Sequence, residues 1–326
     1  MQKIQKTIEI VRSSTGRLSS MGQDSAEAIQ AVLADKYSQV TITIVNNIAD
    51  LEGIAARRPD LVFLGLKYIF DAKYSGREDS TKIWVSEYLD NKGIAYTGSN
   101  QFSHALEANK QLAKQQVHNA GFKTSPFHVI QLGDTFDVDT DLKFPLFVKP
   151  TNRGGGQGID RNSVVHNNEE LHSKVNSIAN LLFADSLIEE FLPGREFSVA
   201  ILRDETKALT AMPIELIAKP DSRGIRMLSN FVKSSNEEQV IAVLDAPLRA
   251  RINDLAIGVF NALGARDYGR IDIRLDEDGV PHFLEANLIP SLISGYGSFP
   301  KACILNGGIE YKPMILSIAH AGMLRS

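Results

Sequence analysis

The run DLVFLGL, Asp60 to Leu66, has no polar side chain after its first residue. A strand that is apolar at every position has no face to give to water. It has to be covered on both sides, as happens in a parallel sheet flanked by helices. The preceding segments supply the partners. TIEIVRS and QVTITIV read as β-strands, and DSAEAIQAVLADK carries Ala26, Ile29 and Leu33 at helical spacing behind an Asp/Ser start. IADLEGIAARRP reads as a second helix, so the order is βαβαβ, the opening of a doubly wound parallel sheet in an α/β protein. A helix in TKIWVSEYLDNKG, followed by IAYTGSN, closes this first unit near residue 100.

A second unit, 101–192, opens on one long helix, FSHALEANKQLAKQQVHNAG, ended by Gly121. It continues through FKTSPFHVI and FPLFVKP into a glycine-rich loop, a helix in NEELHSKVNSIANLLF and the strand SLIEEFL. The third unit, 193–326, runs from the Pro193–Gly194 break through REFSVAIL, ALTAMPIEL, a polar loop of about residues 218–238 and the helix APLRARINDLAIGVFNALG. A hairpin and a C-terminal helix after NGGIEYKP complete it.

Composition narrows the chemistry. A net charge of −4 argues against nucleic acid as a partner, and the single cysteine, Cys303, excludes an internal disulfide and a thiol-ligated zinc. No stretch approaches the roughly 20 apolar residues of a membrane helix, and the N-terminus has no secretory apolar core. A cytoplasmic protein is expected. The seven histidines show no H-E-x-x-H spacing, and no G-x-S-x-G elbow occurs.

The hairpin GRIDIRLDEDGVPHFLEAN, Gly269 to Asn287, holds the most informative polar set. With Asp278 and Gly279 as a two-residue turn, Asp272 faces Glu285 and Arg270 faces Asn287, while Ile271, Ile273, Leu284 and Ala286 point the other way. Cross-strand salt bridges on a solvated hairpin would show the same alternation. Two carboxylates and an amide also suit Mg²⁺ shared with a phosphate, and an arginine beside them suits developing negative charge. Upstream, FPLFVKPTNRGGGQGI ends an apolar strand in Lys149 and follows it with Gly154, Gly155, Gly156 and Gly158. Such amides can close on phosphate oxygens, although the loop is neither a P-loop nor a dinucleotide fingerprint. In SLIEEFLPGREFSVAIL, the carboxylates Glu189, Glu190 and Glu196 flank the Pro-Gly break. They could accept hydrogen bonds from an adenine amino group or a ribose diol. Lys110, in EANKQLAKQQ, reads by itself as a surface lysine.

In this order, Lys110, FVKP with its glycine loop, LIEEFLPGREFSVAIL, GRIDIRLDEDG and LEAN resemble the ATP-grasp superfamily, and most closely the D-alanine–D-alanine ligases. YTGS, Tyr96 to Ser99, and the βαβ opening fit the same family. The resemblance implies a three-domain architecture, α/β with an α+β ATP-grasp part, and ATP held between the central and C-terminal units. It implies that Lys110 and Lys149 contact phosphates, that Arg153, Gly154, Gly155 and Gly156 fold over them, and that Lys233 belongs to the same cofactor site. Glu189, Glu190, Phe191 and Leu192 would hold adenine, and Glu196 would hold ribose. Asp272, Glu285 and Asn287 would carry two Mg²⁺ ions, with Mn²⁺ as a substitute. Arg270 and the backbone amide of Ser291 would stabilise the oxyanion, and Ser298 would contact the second substrate's carboxylate. The implied reaction is ATP-dependent carboxylate–amine ligation through an acyl phosphate, with amino acids as the small-molecule substrates. No membrane partner is implied, and a homodimer is compatible.

The chain also departs from that pattern. Where the family holds the first substrate's ammonium with a glutamate before the first helix, this chain has Ser19 and Ser20 in RLSSMGQDS. The family's loop serine falls at Gly155 or Gly156, and its Tyr-Lys stretch is only loosely echoed by LSNFVK. Asp24 or Glu27 would be substitute anchors, and Lys67 stands where the family often has histidine. These differences point to a first substrate other than simple D-alanine, as in a dipeptide or amide ligase of specialised metabolism. A non-catalytic ATP-binding module and a two-metal phosphoesterase are the rival readings.

Overall fold

The computed structural model describes residues 2–14, 21–70, 82–134, 141–154, 156–204, 206–220, 224–226 and 238–325. Strands β1 (Ile4–Arg12), β2 (Tyr37–Ile44) and β3 (Leu61–Leu64) form a parallel sheet in the order β2-β1-β3. All four residues of β3 are fully buried, as its unbroken apolar run requires. Helix α1 (Gln23–Lys36) buries Ala26, Ile29 and Leu33. Helix α2 (Ile48–Arg57) starts at a reciprocal cap between Asn47 and Asp50. The helix expected from Thr81 begins later, as α3 (Val85–Lys92). Before it, β5 (Lys82–Trp84) pairs with β4 (Tyr68–Phe70), where Trp84 meets Tyr68 edge to face at 5.2 Å.

The long helix expected from Phe102 is two helices, α4 (Gln101–Glu107) and α5 (Lys110–Asn119). The break has a local cause: the Asn109 side chain accepts from the Leu112 amide and caps a new helix, so Lys110 becomes its first residue. An antiparallel sheet follows, β6-β9-β7-β8, from β6 (Phe127–Ile130), β7 (Leu146–Pro150), β8 (Val164–Val165) and β9 (Ser186–Glu190). It is backed by α6 (Asn168–Leu182), whose Leu171, Val175 and Ile178 pack on Leu146, Val148 and Ile188.

The largest sheet is antiparallel, β12-β11-β10-β13-β14. Its strands are β10 (Glu196–Arg203), β11 (Leu209–Ile217), β12 (Gln239–Ala242), β13 (Tyr268–Leu275) and β14 (Pro281–Asn287). Period-two alternation divides its faces. Phe197, Val199, Ile201, Ile271 and Ile273 pack with Ile252, Val259 and Phe260 of α7 (Ala246–Ala262). On the other face Ala200, Leu202 and Tyr268 are covered by Phe299 and Ala302 of α8 (Ser298–Gly307) and by Met314 and Ile318 of α9 (Tyr311–Met323). Helix α8 has no counterpart in the sequence reading. The same core joins α9 to Ile8, Ile10, Ile29 and Leu33 of the first sheet. Glu196, Ser198, Arg270, Asp272 and Arg274 lie on the α8 face by alternation. They are its polar half, and they define the site.

Candidate active site

The hairpin supplies the centre. Arg270 pairs with Asn287 and Asp272 with Glu285, as the alternation predicts, but the turn differs. Asp276 and Val280 close a three-residue loop, Glu277 to Gly279, with Gly279 at φ 73°. A one-residue register shift lies beyond Asp272, where Leu284 is the extra residue. Phe283 therefore enters the core, and Leu284, expected on the core side, lines the cleft beside Glu285.

Asp272 is 7% exposed and is held by four donors. Arg270 Nε meets Oδ1 and Nη2 meets Oδ2, both at 2.9 Å; Ser198 Oγ donates to Oδ1 at 2.8 Å and Asn287 Nδ2 to Oδ2 at 3.3 Å. Arg270 Nη1 lies 3.3 Å from Ser298 Oγ, at the start of α8. Burial works against the Arg270 charge, but Asp272 more than compensates and the guanidinium is held above its usual range. Ser291 sits in the segment between β14 and α8, its hydroxyl buried without a partner among the described residues. Ser198 was readable from EFSVAIL, where alternation puts it on the face of Glu196.

Three lysines converge beside this centre. Lys110 Nζ donates to the carbonyl of Arg153 and lies 3.9 Å from Glu285 Oε2. Lys149 Nζ meets Glu189 Oε1 at 2.6 Å, and Lys114 Nζ meets Glu189 Oε2 at 2.8 Å and Thr124 Oγ1 at 2.6 Å. Burial alone would raise the Glu189 carboxyl, but Lys114 and Lys149 outweigh it and hold it at about 2. Burial lowers Lys110, against Glu285 and with the help of Lys149; it lowers Lys114 as well, against Glu189. Glu189 is thus a buried clamp between two ammonium groups. Lys114 was missed by the sequence reading, although it follows Lys110 by one helical turn and so shares its face.

The glycine loop is held at both ends. Arg153 Nη2 turns to the Leu182 carbonyl at 2.8 Å, away from the cleft, and a Cβ at Gly158 (φ 77°) would lie 2.7 Å from Leu182 and 2.9 Å from Pro150. Gly156 also has positive φ, and Gly154 has open space around it. Glu190 accepts from the Lys143 amide at 3.0 Å. Phe191, Leu192 and Glu196 line the cleft with Phe147 and Ile159, and Glu196 Oε2 accepts from Arg274 Nη1 at 2.9 Å. Gly155, Lys233, Ser19 and Ser20 lie outside the described residues.

At the other end, Lys67 Nζ meets Glu107 Oε1 at 2.6 Å. The same oxygen accepts the Leu288 amide at 2.8 Å, and Oε2 lies 3.2 Å from His104 Nδ1. Burial would raise the Glu107 carboxyl, yet Lys67 and then His104 hold it at about 2. The extra charge of Lys67 is therefore matched locally. Asp24 and Glu27 are exposed on α1, with Glu27 paired to Gln23. Nothing brings either to the cleft among the described residues. No helix among the described residues is long and apolar enough to cross a membrane.

A model of the D-ala D-ala ligase C-terminus matches residues 116–320. The D-alanine–D-alanine ligase of Desulfotalea psychrophila is 30% identical over 290 residues, covering 87% of this chain and 85% of that protein. An uncharacterised protein of Sinorhizobium fredii is 30% identical over 241 residues, covering 72% of this chain and 69% of its own length. Among solved structures, the D-alanine–D-alanine ligase of Bacillus anthracis complexed with ATP aligns at a TM-score of 0.73 and 24% identity, over 98% of each chain.

Proposed function

Because this chain belongs to the D-alanine–D-alanine ligase family, we propose that its cleft joins the carboxylate of one amino acid to the amine of another, with release of ADP and phosphate. The chain is an ATP-dependent ligase forming C–N bonds, and the family relatives do not favour a non-catalytic module or a first substrate remote from D-alanine. ATP supplies the phosphoryl group that turns an unreactive carboxylate into an acyl phosphate open to an amine.

One observation carries the nucleotide reading. Lys110, Lys114 and Lys149 are buried together and, among the described residues, pair only with Glu189, clamped among them, and with Glu285 at longer range. Buried charge without matching countercharge is costly, so the pocket favours a polyanion that completes the balance. Lys110 and Lys149 neutralise phosphate oxygens, and Lys114 works from behind Glu189. Lys233 and Gly155 complete the proposed phosphate set. Glu189 to Leu192 border the base, with the Phe191 and Leu192 side chains as apolar walls.

Magnesium fits the donor set, because Asp272, Glu285 and Asn287 offer only oxygens to a hard cation and leave positions for phosphate. Both Asp272 oxygens already accept two hydrogen bonds each. A metal there has to displace a donor, and Asn287 Nδ2 at 3.3 Å is the weakest held. With that amide turned, Asn287 Oδ1 would join the Asp272 and Glu285 oxygens in holding the ion. When bound, magnesium would supply charge screening for a phosphoryl transfer governed by positioning and electrostatics, held by Asp272, Glu285 and Asn287. Two ions, or Mn²⁺ in their place, belong to the same proposal.

Arg270, anchored by Asp272, keeps Nη1 available toward Ser298 and faces the oxyanion with the Ser291 amide. Ser298 takes the second substrate's carboxylate. The reading divides the chain into units 1–100, 101–192 and 193–326, with the nucleotide between the last two, and accords with a cytoplasmic location where ATP is available. The test is a panel of amino acids in both enantiomers, singly and in pairs, scored by ADP release. Stimulation by D-alanine above all others is expected, and release unaffected by every amino acid would refute the ligase reading.

A further inference from the structure

Arg274 shares the face of β13 with Arg270 and Asp272, and no part of the sequence reading gave it a role. It is 7% exposed, with its guanidinium 5.0 Å from the centroid of the Phe191 ring. Nη1 donates to Glu196 Oε2 at 2.9 Å and Nη2 to the Arg226 carbonyl at 2.8 Å. The Nε–H is buried and has no acceptor among the described residues. An arginine cannot discard its charge, and a buried guanidinium N–H left unpaired is destabilising, so this donor is built for something that arrives.

The cleft beside it is lined by the apolar side chains of Phe147, Ile159 and Leu284 and by Lys149 and Glu285. Apolar walls together with a lysine and a metal-type carboxylate match the chemistries of a nucleoside phosphate: flat base, sugar, phosphates. Arg274 and Glu196 belong to the same lining.

A sugar diol presents hydroxyls that both donate and accept. Glu196 can take only their hydrogens, and would leave oxygen lone pairs facing a buried wall. The unpaired Nε–H supplies the missing donor. We propose that Arg274 is a ribose-reading residue, donating through Nε to a sugar hydroxyl while its Nη1 fixes Glu196 to accept from the same diol. The inference rests on the nucleotide reading above and adds a residue and a specificity to it.

Calorimetric titration of the full chain with ADP and with 2′,3′-dideoxyadenosine diphosphate tests this without turnover. Wild type is expected to bind ADP about a hundredfold tighter than the dideoxy analogue, the value of two hydrogen bonds to charged groups, one from Arg274 and one to Glu196. Arg274→Met should weaken ADP by about tenfold or more and leave the analogue unchanged, so that the preference falls by the same factor. Arg274→Lys keeps the charge and a donor for Glu196 but lacks the guanidinium Nε–H; its preference should fall about tenfold as well, and it carries the test if the methionine variant does not fold. Variants that retain the wild-type preference, or that lose both ligands by one common factor, would mean that Arg274 acts only by packing against Phe191. A wild-type chain that binds neither diphosphate refutes the nucleotide reading itself, which is a different result.

Discussion

Arg270 and Asp272, two residues apart on β13, are joined by a double hydrogen bond, Nε to Oδ1 and Nη2 to Oδ2 at 2.9 Å each. Paired geometry of this kind fixes direction as well as charge. It leaves Nη1 pointing to Ser298, where a reacting carboxylate can meet it.

Arg270→Ala should therefore lower kcat by about 10²- to 10³-fold, as loss of an oxyanion donor does, with the KM for ATP nearly unchanged. Steady-state kinetics at varied ATP separates the two. An equal fall in nucleotide affinity would make the arginine a structural element of the hairpin.

Lys114 touches no proposed ligand position, yet it holds one oxygen of Glu189 while Lys149 holds the other. In Lys114→Met that carboxylate keeps Lys149 as its one lysine, with Ser125 Oγ at 3.4 Å, and Lys149 becomes more fully neutralised toward an incoming phosphate. ATP affinity should fall roughly tenfold, with kcat at saturation less affected, and Lys114→Arg should restore part of it. Direct ADP binding by wild type and both variants checks this, and unchanged affinity in the methionine variant would exclude the clamp.

Glu285→Gln removes one metal-type oxygen charge and the partner of Lys110 at 3.9 Å. A higher magnesium concentration should be needed for half-maximal rate, while the maximal rate at excess metal partly recovers. A magnesium titration that superimposes on wild type would take Glu285 out of the metal site.

Burial lowers Lys110 and Lys114 below the ordinary lysine value of 10.5 in the free protein. A bound polyphosphate favours their charged forms, so their values rise on binding. Affinity should be complete below the free-state values and decline as pH rises through them, with protons taken up on binding in that alkaline window. Titrations of ADP in buffers of different ionisation heat measure the uptake, and a proton count of zero across the alkaline range would contradict it.

Much of this site was legible because strand alternation is strict. Arg270, Asp272, Glu285 and Asn287 share a face through nothing more than their positions, and the pairing came out right although the turn did not. The three-residue loop and the extra residue Leu284 are offsetting one-residue displacements, so the register at Asp272 survives while Phe283 and Leu284 exchange sides. The break at Asn109 was hidden by helical periodicity that runs through it, because a cap depends on one side-chain bond. Lys114 and Arg274 were hidden for another reason. A lysine on a polar helix face and an arginine near a turn look solvated, and only the packing of two antiparallel sheets around the cleft buries them.

The last helix has a consequence for how the chain is made. Met314, Ile315, Ile318 and Ala319 of α9 pack into the same core as Ile8, Ile10, Leu61 and Phe63 of the first sheet. At about 5–20 residues per second, translation leaves that side of the sheet with α1 but without α9 for tens of seconds. The strands of the first sheet leave the ribosome well before α9 and must wait for it, part of their apolar surface exposed.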